Sequence, residues 1–138
     1  MAEVEELAFE IAKKHLDFNE PIPDFSSRFP HKLESCLAVP FQKFSGMSPY
    51  PTLTEKTGIL FYLMIKDHPF QNGNKRIAIT TMFLLLLKNK KWLDTDLEEL
   101  YDLTIDVAKS KAEDKNLVVQ AVNWFISSNL IDGDPVSE

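Results

Sequence analysis

The 138-residue chain has a single cysteine, Cys36. That excludes an internal disulfide and any metal site built from clustered cysteines. Cations are in deficit. Fifteen Lys and Arg against 21 Asp and Glu leave a net charge of −6, which argues against a general nucleic-acid binder, because such proteins show a basic face. No long apolar run is present. The longest apolar-rich stretch, Ile77–Leu87, falls well short of the roughly 20 residues that span a bilayer. The N-terminal residues Ala2–Glu10 are acidic rather than basic followed by apolar, so they do not read as a signal peptide. The expectation is a cytoplasmic protein with no membrane partner and no direct nucleic-acid binding. No internal repeat and no second domain show. Residues 1–131 read as one domain and 132–138 as a frayed acidic tail.

What is there is a helical chain interrupted by two unusual stretches. Val4, Leu7, Ala8, Ile11 and His15 recur at helical spacing, predicting a helix over Glu3–Leu16 with His15 as a partner for its C-terminal dipole. Asp17–Pro30 reads as a loop. A short helix, His31–Ala38, should place Leu33 and Leu37 inward and leave His31 in solvent. Thr52 and Glu55 have the spacing of a capping box, which opens a helix over Leu53–Asp67 with Ile59, Leu60, Leu63 and Met64 as its apolar stripe; Pro69 stops it. The helix over Asn74–Lys90 is apolar around nearly its whole circumference and should be central to the domain. Within it, Thr80 and Thr81 can bond back to backbone carbonyls. Thr95 and Glu98 have capping-box spacing before a helix over Asp96–Lys111, and a last helix covers Glu113–Leu130. The fold class is all-α, a compact bundle around a central buried helix.

The first unusual stretch is Pro40–Pro51, with Phe44, Ser45, Gly46 and Met47 at its middle. It can be a covered loop whose aromatics plug the core, or a short β-hairpin flap whose exposed edge adds a strand to an extended peptide. The second is His68-Pro69-Phe70-Gln71-Asn72-Gly73-Asn74-Lys75-Arg76. A Gly-Asn turn opening into a buried helix presents unpaired N–H groups and a positive dipole end. Lys75 and Arg76 add full charge there. Two cations at a helix N-terminus oppose the dipole unless an anion compensates them, so the turn reads as a phosphate site. Gly73 lets the phosphate approach the backbone, Asn74 can cap the helix and donate an amide N–H, and Arg76 can grip two oxygens at once. His68 lies where it could take a proton, and imidazole is the side chain suited to that at neutral pH. Phe70 reads as an apolar anchor beneath the loop.

This second stretch resembles the core motif of the Fic/Doc superfamily, His-x-Phe-x-Asp/Glu-Gly-Asn-Gly-Arg. His68, Phe70, Gly73, Asn74 and Arg76 fall in register, and Asn74-Lys75-Arg76 is similar to the death-on-curing (Doc) branch. The likeness extends over Leu33–Trp92, including the flap position. It implies a Fic/Doc-type helical fold, with the flap aligning a target segment, His68 as general base, and Gly73, Asn74, Lys75 and Arg76 around the phosphates of ATP. In the family an acid at the position of Asn72 binds magnesium; the amide here implies weaker metal binding, a metal held mainly by phosphates and water, or reduced activity. Lys75 stands where AMP-transferring Fic enzymes have glycine, and Ile79 where they have a second arginine. Both departures imply the Doc reaction, in which the terminal phosphate of ATP passes to a protein hydroxyl. The target class so implied is translation elongation factor Tu, and the outcome is arrested translation by a toxin silenced by a separate antitoxin. AMP transfer, or a catalytically silent module that holds a nucleotide or peptide, are the alternatives. No Ser/Thr-x-x-x-Glu-Gly/Asn inhibitory pattern occurs within the chain, so any such inhibitor would be a partner.

Overall fold

A computed structural model describes residues 28–69 and 74–133. It is mostly helical, with one two-stranded antiparallel ribbon. In chain order come α1 (Pro30–Ala38), a 3-10 turn (Val39–Phe41), α2 (Leu53–Lys66), α3 (Asn74–Lys88), β1 (Lys91–Leu93), α4 (Leu97–Lys109), a second 3-10 turn (Ala112–Asp114), α5 (Lys115–Asn129) and β2 (Leu130–Asp132). The helix expected over Glu3–Leu16, with His15 and most of the loop after it, lies outside the described residues.

The capping box at Thr52 forms as the spacing predicts. Thr52 Oγ1 accepts from the Glu55 N–H at 3.1 Å, and Glu55 Oε1 accepts from the Thr52 N–H at 3.2 Å. Two helix-end donors are thereby satisfied reciprocally. The second cap is displaced by one residue from Thr95 and Glu98. Asp96 is the cap, its Oδ1 accepting from the Glu99 N–H at 2.8 Å, while Thr95 Oγ1 turns to the Glu99 carboxylate at 3.1 Å. The shift leaves Leu100 fully buried. Burial of that residue and the stronger capping preference of Asp over Thr set the register.

α3 is buried along most of its length, as its all-round apolar character predicts. Thr80 Oγ1 bonds back to the Arg76 carbonyl at 3.0 Å. The single stripe expected on α2 is a correction: every residue from Thr57 to Ile65 is buried. α2 packs against α3, α4 and α5 and against the segment around Val39–Phe41, so α2 and α3 together form the centre. α2 and α5 approach closely at Gly58, where an added methyl would sit 1.8 Å from Asn123 Oδ1 and 3.0 Å from Asn123 Cγ. Gly58→Ala is therefore expected to destabilise the fold by about 1–3 kcal/mol. In an Asn123→Ala background the same change should be neutral or stabilising, since alanine favours helix by up to about 1 kcal/mol over glycine. Urea denaturation of the four proteins reads this directly.

α3 ends at Lys88, two residues earlier than expected, because Lys90 turns into the left-handed region (φ 61) and leads into β1 at Lys91. β1 pairs with β2 in the register Lys91 to Asp132, Trp92 to Ile131 and Leu93 to Leu130. Trp92 also stacks on Phe83, ring centroids 4.2 Å apart. Regular structure thus runs through Asp132, into the stretch expected to fray. Lys91 and Asp132 pair at 2.7 Å and hold the fully exposed Asp132 carboxyl below its usual range.

Candidate functional site

The turn that follows α2 is held from three sides. Asp67 closes the helix, its N–H donating to the Leu63 carbonyl at 2.8 Å. Its carboxylate accepts a long hydrogen bond from the Cys36 thiol of α1 at 3.9 Å. Two residues on, the Pro69 carbonyl accepts from the Phe29 N–H at 2.6 Å, and Phe29 is the residue that opens α1. Between these two ties stands His68. Its backbone is left-handed (φ 49) and its side chain is exposed. Left-handed backbone at a helix exit normally belongs to glycine, and a residue preceding proline disfavours helical backbone besides. His68 is thus kept in solvent at a cost in strain, as functional positions often are.

On the third side is Asn74, the first residue of α3, whose amide nitrogen Nδ2 lies 3.4 Å from His68 Nδ1. Carboxamide and imidazole can pair in two ways. If the amide nitrogen donates, Nδ1 is the acceptor and the ring proton sits on Nε2. If the amide oxygen faces the ring, Nδ1–H donates and Nε2 keeps an outward lone pair. Only the second leaves the distal nitrogen free to take a proton. The sequence reading cast Asn74 as a helix cap and phosphate donor; its contact with the histidine six residues earlier was missed, since that depends on how the two helix ends face each other.

Lys75 is half-buried and Arg76 buried, in the first turn of α3. Ile79, where the resemblance implies a second arginine in AMP-transferring enzymes, is fully buried in the core. Phe70, Asn72 and Gly73, expected as anchor, metal ligand and phosphate cradle, lie outside the described residues. Among the described residues no three His, Cys, Asp or Glu side chains converge on a metal position.

The flap forms a two-residue hairpin. Phe44 and Met47 exchange both backbone hydrogen bonds, at 2.8 and 3.0 Å, across Ser45 (φ 53) and Gly46 (φ 78). Positive φ at both turn positions is the geometry that matches strand twist in tight hairpins. Phe44 and Met47 are 62% and 74% exposed, so the tip of the stretch does not plug the core, while Tyr50 at its end packs against it. Lys56 of α2 holds the outgoing segment in place, donating to the Tyr50 carbonyl and to Ser48 Oγ at 3.4 Å.

Cys36 is fully buried, and burial, reinforced by the Asp67 carboxylate, pushes its thiol from 9.0 up to about 12. The fold therefore favours the protonated thiol. Its stabilising contribution is complete below the unfolded thiol's value near 9 and is lost as pH rises towards 12. Iodoacetamide at pH 9 is expected to leave Cys36 unmodified in the native protein and to alkylate it fully in urea, as mass spectrometry would show. Burial, and then Asp67, raise the Tyr62 phenol as well.

Among the described residues no helix is long and apolar enough to cross a membrane. Comparison with known proteins gives one family match: the model described as Fic/DOC family matches residues 2–86, more than half of the chain. No curated protein and no solved structure matches.

Proposed function

The chain belongs to the Fic/DOC family, whose members are typically transferases acting on nucleotides, and from that premise we propose that it passes the terminal phosphate of ATP to a hydroxyl of a protein target. The observation that carries this reading is the juxtaposition of an exposed imidazole, a carboxamide against its Nδ1, and two cations in the following helical turn. His68 Nε2 takes the proton of the target hydroxyl. The oxygen attacks the terminal phosphorus, the bond to the bridging oxygen breaks, and ADP leaves. Asn74 holds the tautomer this needs once its carboxamide is turned so that the oxygen accepts from Nδ1–H. Arg76, Lys75 and the N-terminal dipole of α3 hold the transferred charge in place, which is most of what a phosphoryl-transfer site must do. The flap pairs with the backbone of the target segment and delivers the hydroxyl.

Magnesium would accompany the nucleotide, with Asn72 as a ligand from the protein. Magnesium sites favour carboxylates, and Asp67, the residue before His68, accepts from Cys36, so the steps above draw on the chain's own residues alone. By the Doc-like motif, the target is a translation factor, elongation factor Tu first, and a separate antitoxin restrains the protein.

The test is transfer of label from ATP, with magnesium, to a protein in a cell lysate. Label from the terminal phosphate only supports this reading; label from the innermost phosphate only moves the reaction to AMP transfer. A specific feature, the amide at Asn72, favours a silent binding module as the second reading. Growth inhibition that survives His68→Ala would favour it over both enzymes. Within the transfer reading, Asn74→Ala is expected to lower kcat by about ten- to a hundredfold, the scale of losing a residue that orients a catalytic group, with little change in KM for ATP.

A further inference from the structure

The hairpin at Ser45 and Gly46 has little of its own to hold it. It consists of one bridge, Phe44 to Met47, and both residues are exposed. A two-stranded hairpin alone is marginal in water, so where this one stands is decided at its roots. The incoming root is Phe41, the last residue of the first 3-10 turn, after which the Gln42 N–H donates to the Val39 carbonyl at 3.2 Å. The outgoing root runs from Ser48 to Tyr50, where the Tyr50 N–H donates to Ser48 Oγ at 3.1 Å.

One ammonium reaches both roots. Lys56 Nζ lies 5.9 Å from the centre of the Phe41 ring, donates to Ser48 Oγ at 3.4 Å, and donates to the Tyr50 carbonyl. Lys56 is half-buried, and none of these partners is a carboxylate. A surface lysine keeps its head in water; this one aims it at a ring, a hydroxyl and a carbonyl of a single loop. Three N–H donors fanning from one atom suit that arrangement, and the ring face attracts the charge. The side chain rises near the start of α2, a helix buried from Thr57 to Ile65 whose other end runs into His68.

We infer that Lys56 is a positioning residue: its ammonium clamps both roots of the flap to α2, and so fixes where the hairpin edge stands relative to the helix that carries His68. The kinetic consequence rests on the transfer reading above, in which the flap aligns the target segment; the clamp itself does not. Without the clamp, capture of the target weakens while the ATP site and the chemical step are untouched.

Two measurements on the full chain test this. Nitroxides at Ser45→Cys and Lys109→Cys report the placement of the flap by double electron–electron resonance; Lys109 is exposed at the end of α4, and Cys36 is buried. One narrow distance distribution is expected with Lys56 in place. Lys56→Met keeps the aliphatic stem and removes every donor, and should broaden the distribution at least about twofold, as for a hairpin left to its own bridge. Lys56→Arg restores donors and should narrow it again. In steady-state transfer to purified elongation factor Tu, Lys56→Met should raise KM for the protein by about tenfold, the scale of one lost hydrogen bond from a charged donor. Its kcat and its KM for ATP should not change, and Lys56→Arg should recover most of the loss. A lysine that only stabilised the fold would lower kcat through loss of folded protein and leave KM alone. A distribution already broad with Lys56 in place, or one unmoved by Lys56→Met, overturns the proposal. So does a broadened flap in an active enzyme whose KM for the protein is unchanged. Broadening in a protein that transfers no label keeps the clamp and removes the transfer reading instead.

Discussion

Replacing His68 by alanine is expected to lower transfer from ATP to the protein target by at least about a hundredfold, the lower end of what a positioned general base supplies. ATP binding, followed by calorimetry, should persist, because the proposed phosphate contacts come from the next helix. Stability supplies a second and independent readout. His68 holds a left-handed backbone with φ 49, a conformation that any side chain with a Cβ resists by about 1 kcal/mol and glycine does not. His68→Gly should therefore be as inactive as His68→Ala and more stable than it by about that amount, measured by chemical denaturation. Equal stability of the two would mean that the turn carries no strain. Full activity in either would remove the histidine from the chemistry.

Phe61→Ala is expected to be the most damaging substitution for stability among those considered. Phe61 is fully buried in the middle of α2, among the largest side chains of the core. Truncating such a residue costs about 3–5 kcal/mol, lost transfer energy and cavity together. That is a large share of the roughly 5–15 kcal/mol by which a domain is stable, and it should lower Tm by about 10–20 °C. Phe44→Ala in the flap provides the comparison. It removes a ring that is 62% exposed and should change stability by no more than about 0.5 kcal/mol, while weakening capture of the target segment. A drop of similar size in both would place the flap in the core after all.

The sequence made the helices legible wherever apolar spacing coincided with a cap. Thr52 and Glu55 mark the start of α2, and the unbroken apolar run after Arg76 marks α3 as buried. It misled where two neighbouring residues could each serve. Thr95 and Asp96 are both good caps, and the burial of Leu100 together with the stronger preference for Asp chooses between them. The ribbon was not legible, because Lys91–Leu93 and Leu130–Asp132 are too short to show alternation and owe their pairing to α3, α4 and α5 bringing them together. At the site, the identity of the polar residues was readable from the motif, since each has a distinct chemical reason to be there. The ties that hold His68 in place were not. The bond from Phe29 to Pro69 and the thiol of Cys36 against Asp67 join residues 40 and 31 positions apart, and no local pattern signals them.

Lys91–Leu93 and Leu130–Asp132 also settle where the molecule can be handled. The ribbon they form sits just beyond the far end of α3 from Asn74. At 1.5 Å per residue, that helix of 15 residues separates the two ends by about 22 Å. An affinity tag or fluorophore fused after Gly133 would emerge beside Lys90, whose carbonyl accepts from the Gly133 N–H at 3.0 Å, rather than over the imidazole. Immobilisation through that end leaves His68 open to the bath.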